Sequence, residues 1–156
     1  MPAIDLIPEF TYRVTASGSL PSTQGSPFGE RSCWIITAAD IEGPRIRARL
    51  AAPGSDWLLV GGDRYSRPDV RAALKTDDDA TVLVRCSGLV EQTEAFMAAA
   101  KAGTDTSWDD QYMRLAMHFE TGAERYRWLN ESLFIARGRL LGTGQIDMGF
   151  EVFRVA

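Results

Sequence analysis

Tyr112-Met113-Arg114-Leu115-Ala116-Met117-His118-Phe119-Glu120 decides the fold class. A two-residue period sends Tyr112, Arg114, Ala116, His118 and Glu120 to one face and Met113, Leu115, Met117 and Phe119 to the other. That is the pattern of a strand with one wet and one dry face. Two placements are open. The Met-Leu-Met-Phe face forms the core and the polar face meets solvent, or the polar face lines a barrel interior while the apolar face packs under a helix or in an oligomer.

Working outward, the same period recurs. Arg45, Arg47 and Arg49 alternate with Ile46, Ala48 and Leu50. Phe10 to Ala16, Ser32 to Ala39, Asp56 to Val60, Asp69 to Lys75, Ala80 to Leu89, Leu133 to Arg139 and Ile146 to Val155 also read as strands. Glu42-Gly43-Pro44, Pro53-Gly54, Asp77-Asp78-Asp79 and Gly142-Thr143-Gly144 read as turns between them. Ser17 to Glu30, rich in Gly, Ser and Pro, reads as a long loop. One segment, Glu91 to Ala102, has helical composition, with Phe96 as its large anchor and Gly103 as its stop. Eight or more short strands with tight turns favour antiparallel order, and a sheet that large hides its edges by curling or closing. The expectation is one mainly β domain over residues 1–156, an antiparallel β-barrel or strongly curled sheet with one short helix.

Composition narrows the function. The chain has 156 residues, 45% of them hydrophobic and 24% charged, in the range of ordinary globular proteins. Its net charge of −4 argues against a nucleic-acid binder. No apolar run has the length of a membrane span. Met1-Pro2-Ala3-Ile4-Asp5 carries no basic or apolar leader pattern, so the expected compartment is the cytosol. The two cysteines, Cys33 and Cys86, have no metal or redox spacing and read as buried thiols. With a single histidine, His118, the chain is poor in zinc ligands. Phosphate-binding glycine loops and a serine elbow are absent from the sequence. The reading therefore expects no metal and no cofactor.

What is left for chemistry is carboxylates, arginines and aromatics. Asp56, Glu120 and His118 are the candidate proton carriers, because a carboxyl buried beside Trp57 or Trp128 is held in its neutral form to higher pH. Arg71, Arg85 and Arg114 are candidates to hold an enolate, phenolate or carboxylate. Trp57 and Trp128, with Trp34 and Phe119, are candidates for an apolar wall, and Asn130 for orienting a substrate. Each has a structural alternative: aromatic core, cross-strand ion pairs, a solvated strand face.

Several short motifs occur in order along the chain. They are Gly29-Glu30-Arg31, Ile41-Glu42-Gly43-Pro44 with Arg45-Ile46, Pro53-Gly54-Ser55-Asp56-Trp57, and Asp69-Val70-Arg71 with Thr76-Asp77-Asp78. Tyr112-Met113-Arg114, Phe119-Glu120-Thr121-Gly122 and Trp128-Leu129-Asn130 with Phe134 follow. In this order the chain resembles the domain of unknown function 3237 family (DUF3237, uncharacterised protein family UPF0311). It departs from the family pattern at Ala72, Asp79, Val82 to Val84 and Met117. The resemblance implies a β-barrel. Some members look like cofactor-free enzymes that close oxygen heterocycles by adding a hydroxyl to an alkene. The functional expectation is thus a cofactor-free lyase, cyclase or isomerase acting on a small hydrophobic oxygenated molecule. A small-molecule-binding barrel without turnover is the alternative. A scaffold that offers Arg45, Arg47 and Arg49 to an acidic partner is a third reading. A homo-oligomer through the Met113, Leu115, Met117 face is a further expectation.

Overall fold

The computed structural model describes residues 3–143 and 146–156. Met1, Pro2 and part of the turn expected at Gly142-Thr143-Gly144 lie outside the described residues. In chain order the strands are β1 (Leu6–Leu20), β2 (Glu30–Glu42), β3 (Arg47–Val60), β4 (Tyr65–Arg67), β5 (Asp69–Thr76) and β6 (Thr81–Glu91). Helix α1 (Glu94–Ala102), β7 (Met113–Glu120), β8 (Phe134–Gly142) and β9 (Ile146–Val155) follow. A 3-10 turn, Glu124–Leu129, joins β7 to β8.

Every pairing is antiparallel. β1, β2, β3, β5, β6, β7, β8 and β9 pair in that order, and β9 returns to β1, so eight strands close a barrel. β4 is a short graft between the ends of β3 and β6. The alternating residues explain closure. Phe10, Tyr12, Val14 and Ala16 of β1 point inward and are buried, as are Val82, Val84 and Cys86 of β6 and Phe134, Ala136 and Leu140 of β8. Met113, Leu115, Met117 and Phe119 are inward and buried too. Of the two placements open for β7, the apolar face is the barrel interior and the polar face is its outer wall. The oligomer argument drawn from Met113, Leu115 and Met117 falls with this, because the core already covers that face.

Two segments differ from the sequence reading. Arg45 to Leu50 and Asp56 to Val60 are not separate strands. Arg47 to Leu50 and Asp56 to Val60 are ends of one bent strand, β3, which begins after Ile46 and whose register against β5 shifts between Leu50 and Ala52 and again between Ala52 and Ser55. Pro53 sits in this irregular stretch, where a missing N–H costs no ladder bond. The proposed loop at Ser17 to Glu30 is shorter, since β1 runs on to Leu20. At the turn after β5, Asp79 holds φ at +67°, a left-handed conformation that glycine adopts without strain. Here Asp79 answers Lys75 with a 2.9 Å ion pair.

The two barrel ends are built differently. Phe10, Phe119, Trp128 and Phe134 meet at the lower end with ring centroids 5.1 to 6.4 Å apart, mostly edge to face. They fill the lumen there. Arg45 lies 3.8 Å over the Trp128 ring and reaches Glu9, which Arg154 also holds at 2.8 Å. At the upper end α1 lies across the opening. Thr93 caps it, accepting from the Phe96 N–H at 3.1 Å, and Gly103 ends it in a left-handed turn. Thr106 then pairs with Leu140 of β8 and ties the following segment to the barrel.

At Gly88 of β6 an added Cβ would press on the Arg114 carbonyl oxygen of β7, closer than real Cβ atoms come. Gly88→Ala therefore forces β6 and β7 apart. The expected cost is about 2–3 kcal/mol, in the range of overpacked cores, read as a lower urea midpoint than that of the parent.

Candidate functional site

Above the aromatic plug the inward residues become small: Val14, Ala16, Val70, Cys86 and, from the helix, Ala99. A cavity of about 270 Å³ is left between the barrel wall and α1. At the packing density of about 0.74 found in organic solids, it holds roughly 200 Å³ of molecule, the scale of a compact one- or two-ring compound. Its wall is mainly apolar, with Ile36, Leu115, Leu140, Met148 and Phe150 around it and Phe96 and Met97 from the helix above.

A few polar groups break that wall, and strand register places them. Trp34 of β2 lies opposite Asp56 of β3, Asp56 opposite Val70 of β5, and Val70 opposite Cys86 of β6. Residues directly opposite share a face, so this row runs around the inside of the barrel. Tyr12 enters from β1, stacked on Phe150 at 6.1 Å. Ser66, Gln92 and Thr104 also line the cavity, with Gln92 Nε2 donating to Ser66 Oγ at 2.9 Å.

Asp56 is only 8% exposed and has no cationic partner among the described residues that line the cavity. Its one protein hydrogen bond among the described residues comes from the Asp69 backbone N–H, at 3.1 Å to Oδ1. Burial pushes its carboxyl up to about 6, against the pull of that amide, and the Asp69 carboxylate adds to the rise. Burial likewise pushes the Cys86 thiol up to about 12, so it stays protonated. The Tyr12 hydroxyl is raised well above its ordinary value by burial and by the nearby Cys86, Asp40 and Asp56. Tyr12 Oη and Trp34 Nε1 are both buried without a hydrogen-bond partner among the described residues. No Arg, Lys or His is among the described residues lining the cavity. Among the described residues no group of three or more His, Cys, Asp or Glu is placed to hold a metal ion.

Of the site residues the sequence singled out, Asp56 and Trp34 are in this cavity. Arg71, Arg85 and His118 do come together, but on the outer wall, directly opposite one another across β5, β6 and β7. Glu120 lies beside them, opposite Leu83, and all four border a shallow outer depression. Arg85 stands 3.9 Å from Asp69. Arg114 is also on the outer wall, bonded to the Met113 carbonyl and over the Tyr112 ring. Trp57 points outward and is half exposed. Trp128 belongs to the aromatic plug. Asn130 holds the chain after β7, exchanging two hydrogen bonds with the Thr121 backbone at 2.8 and 2.9 Å. The Arg45, Arg47, Arg49 ladder meets Glu9, Glu42 and Asp40 of its own chain. Tyr12 and the indole N–H of Trp34 were missed as polar groups. The inward face of β1, Phe10-Tyr12-Val14-Ala16, carries the only available signal, a phenol set in an otherwise apolar row.

The profile of the family described as "Protein of unknown function (DUF3237)" matches residues 4–155. The chain belongs to the DUF3237 family. A UPF0311 protein of Rhodopseudomonas palustris is 26% identical over 128 residues, covering 81% of this chain and 84% of that one. A UPF0311 protein of Clostridium acetobutylicum is 22% identical over 126 residues, covering 81% and 80%. Among solved structures, a conserved protein of unknown function from R. palustris superposes with a TM-score of 0.88 at 22% identity, covering all of both chains. A β-barrel-like protein from Acinetobacter baumannii gives 0.81 at 24% identity, covering 100% of this chain and 98% of that one. An enzyme from Penicillium herquei gives 0.72 at 20% identity, covering 100% and 98%. These likenesses establish the DUF3237 barrel as the shared fold. No helix among the described residues is long and apolar enough to cross a membrane.

Two stability effects follow from the cavity. Below the ordinary carboxyl value of 3.8, Asp56 is neutral both folded and unfolded. Between there and about 6 the unfolded chain ionises first, so the folded state loses ground as pH rises. Asp56→Asn keeps an oxygen for the Asp69 amide and removes the charge. At pH 7 it should be more stable than the parent by about 3 kcal/mol, at ~1.4 kcal/mol per unit of raised pKa, and the advantage should vanish below pH 4. Tyr12→Phe removes a buried hydroxyl that has no protein partner and should raise stability by about 1 kcal/mol. Denaturant titrations at pH 4 and pH 7 read both.

Proposed function

We propose that this barrel catalyses a cofactor-independent addition or elimination at a carbon–carbon double bond, such as closure of an oxygen ring by a hydroxyl adding to an alkene. The substrate is a small, mostly hydrophobic, oxygenated molecule held in the upper cavity. The observation that carries this reading is Asp56, a buried carboxyl in a mainly apolar cavity with no counter-charge among the described lining residues, poised to ionise near pH 6.

The chemistry asks little else. At neutral pH Asp56 is largely ionised and takes the proton of the attacking hydroxyl. The carbon–oxygen bond forms, the double bond is lost, and Asp56 delivers the proton to the neighbouring carbon. Atoms and electrons balance without an oxidant or reductant, and product and substrate are isomers. The cavity wall supplies proximity and limits water that would compete as nucleophile for the electrophilic carbon. Elimination is the same path reversed. Glu120 and His118, on the outer wall, take no part in it. The Penicillium herquei protein is described as an enzyme, which adds support only at the level of a shared fold.

A non-catalytic binding barrel is the second reading. The largely apolar wall favours it, because such a wall suits carriage as well as reaction.

A panel of hydroxyl-bearing alkenes that fit the cavity separates the two by liquid chromatography with mass detection. Turnover gives a product of unchanged mass and altered retention. Carriage returns every compound unaltered and ends the catalytic reading. With a turned-over compound in hand, Asp56→Asn should lower kcat by at least about 100-fold, the lower range for losing a general base. Glu120→Gln and His118→Gln should stay within about twofold. The parent's kcat/KM should rise with pH through about 6 and then level, as the ionised carboxylate becomes the resting form.

A further inference from the structure

Two side-chain oxygens of the upper cavity differ from the enclosed Tyr12 hydroxyl and Trp34 N–H: they are unpaired and open. The Asp69 amide occupies Asp56 Oδ1. Asp56 Oδ2 accepts no hydrogen bond among the described residues. It is also not one of the enclosed atoms without a partner, which are Tyr12 Oη, Trp34 Nε1, Asp69 Oδ1 and Gln111 Oε1. Gln92 Oε1 is in the same state. Its amide is oriented by its neighbours. The Ser66 hydroxyl donates to the Val90 carbonyl at 3.4 Å, so Ser66 Oγ is left to accept from Gln92 Nε2, and Oε1 turns away from Ser66. The backbone there is fixed as well. The Gln92 N–H donates to the Arg64 carbonyl at 2.8 Å, one residue before the Thr93 cap of α1.

Register separates the two oxygens. Ser66 lies opposite Val60 of β3, which stands four residues along the strand from Asp56. At about 3.3 Å per residue that is about 13 Å of strand. Asp56 therefore sits deep in the barrel and Gln92 at the rim beneath the start of α1, with Leu58, Val70 and Val90 in the wall around them. Both open oxygens only accept: one belongs to a carboxylate at neutral pH, the other to an amide carbonyl. A ligand carboxylate brings no proton at that pH and would face Asp56. An ammonium brings three and finds one open oxygen in an apolar wall. A hydroxyl brings one.

We infer that the ligand is an uncharged molecule with a hydroxyl at each end, one received by Asp56 Oδ2 and the other, roughly 8–12 Å away, by Gln92 Oε1, with an apolar skeleton between. This rests on the upper cavity being the site, as in the reaction proposed above, and it divides the two hydroxyls by role. The one at Asp56 gives up its proton and adds to the alkene, and Asp56 returns that proton to carbon. The one at Gln92 keeps its proton and sets how far the skeleton enters. Gln92 is a substrate-binding residue that touches no reacting atom.

1,8-Octanediol and 1-octanol, titrated calorimetrically into the whole chain at pH 8, read the second seat without requiring turnover. A purely apolar rim favours the mono-alcohol by about tenfold or more, the cost of burying a second hydroxyl unpaired. With Gln92 receiving that hydroxyl, the diol should bind within about threefold of 1-octanol. Gln92→Leu should weaken the diol about tenfold or more and leave 1-octanol within about threefold, because its one hydroxyl still finds Asp56. Retained 1-octanol binding also shows that the variant folds around its cavity. A parent that prefers 1-octanol by about tenfold or more overturns the inference. So does a variant that keeps the parent's ratio. Where Gln92→Leu does not fold, the parent's ratio decides alone. If the ratio fails while Asp56→Asn still lowers turnover of an active compound, the second seat is wrong and the proton transfer stands. The expected ratio in a barrel that turns nothing over keeps the seat and removes the reaction.

Discussion

An eight-strand barrel encloses a lumen just wide enough that side-chain size decides whether it is solid or hollow. The rest of the molecule depends on how the chain spends its bulk along that axis. Four aromatic rings, from Phe10, Phe119, Trp128 and Phe134, close the lower end and interlock at centroid distances of 5.1 to 6.4 Å. At the upper end the inward positions carry Ala16, Val70 and Cys86, which leave the middle open. The same alternation that buries a strand face thus builds a plug in one half and a chamber in the other. Helix α1 completes the chamber by laying Phe96 and Ala99 over it.

Within the chamber the polar groups are few and poorly matched to the protein itself. Surface ion pairs abound on this chain, yet Asp56 forms none among the described residues. The Tyr12 hydroxyl and the Trp34 indole N–H have no hydrogen-bond partner among the described residues, while Ser66 and Gln92, farther along the wall, hydrogen-bond to each other. Burial with a single amide donor is what raises the ionisation of the Asp56 carboxyl to about 6.

Much of the barrel was legible in the sequence because its signal is local. Alternation in Tyr112 to Glu120, in Phe10 to Ala16 and in Ala80 to Leu89 fixes which residues share a face, and the Glu91-to-Ala102 segment announces its helix. Direction was less legible. Period two says that Arg114, His118 and Glu120 lie together, not whether together means inside. Closure answers that, because the more apolar of two faces takes the dry side of a wall. The bend in β3 was hidden for a similar reason. Pro53-Gly54 reads locally as a turn, and only pairing with β5 through two register shifts shows one continuous strand. Of the site, Asp56 was found from its position beside Trp57. The orphaned hydroxyl of Tyr12 was not, because a tyrosine in a core-facing row looks the same whether or not another strand brings it a partner.

Asp56 takes its hydrogen bond from a main-chain amide, that of residue 69, rather than from a side chain. Every amino acid except proline offers that amide. The lining around the acid is therefore free to drift in shape and volume without unseating it. Such an arrangement lets the volume of the chamber change by side-chain substitution while the carboxyl stays where it is.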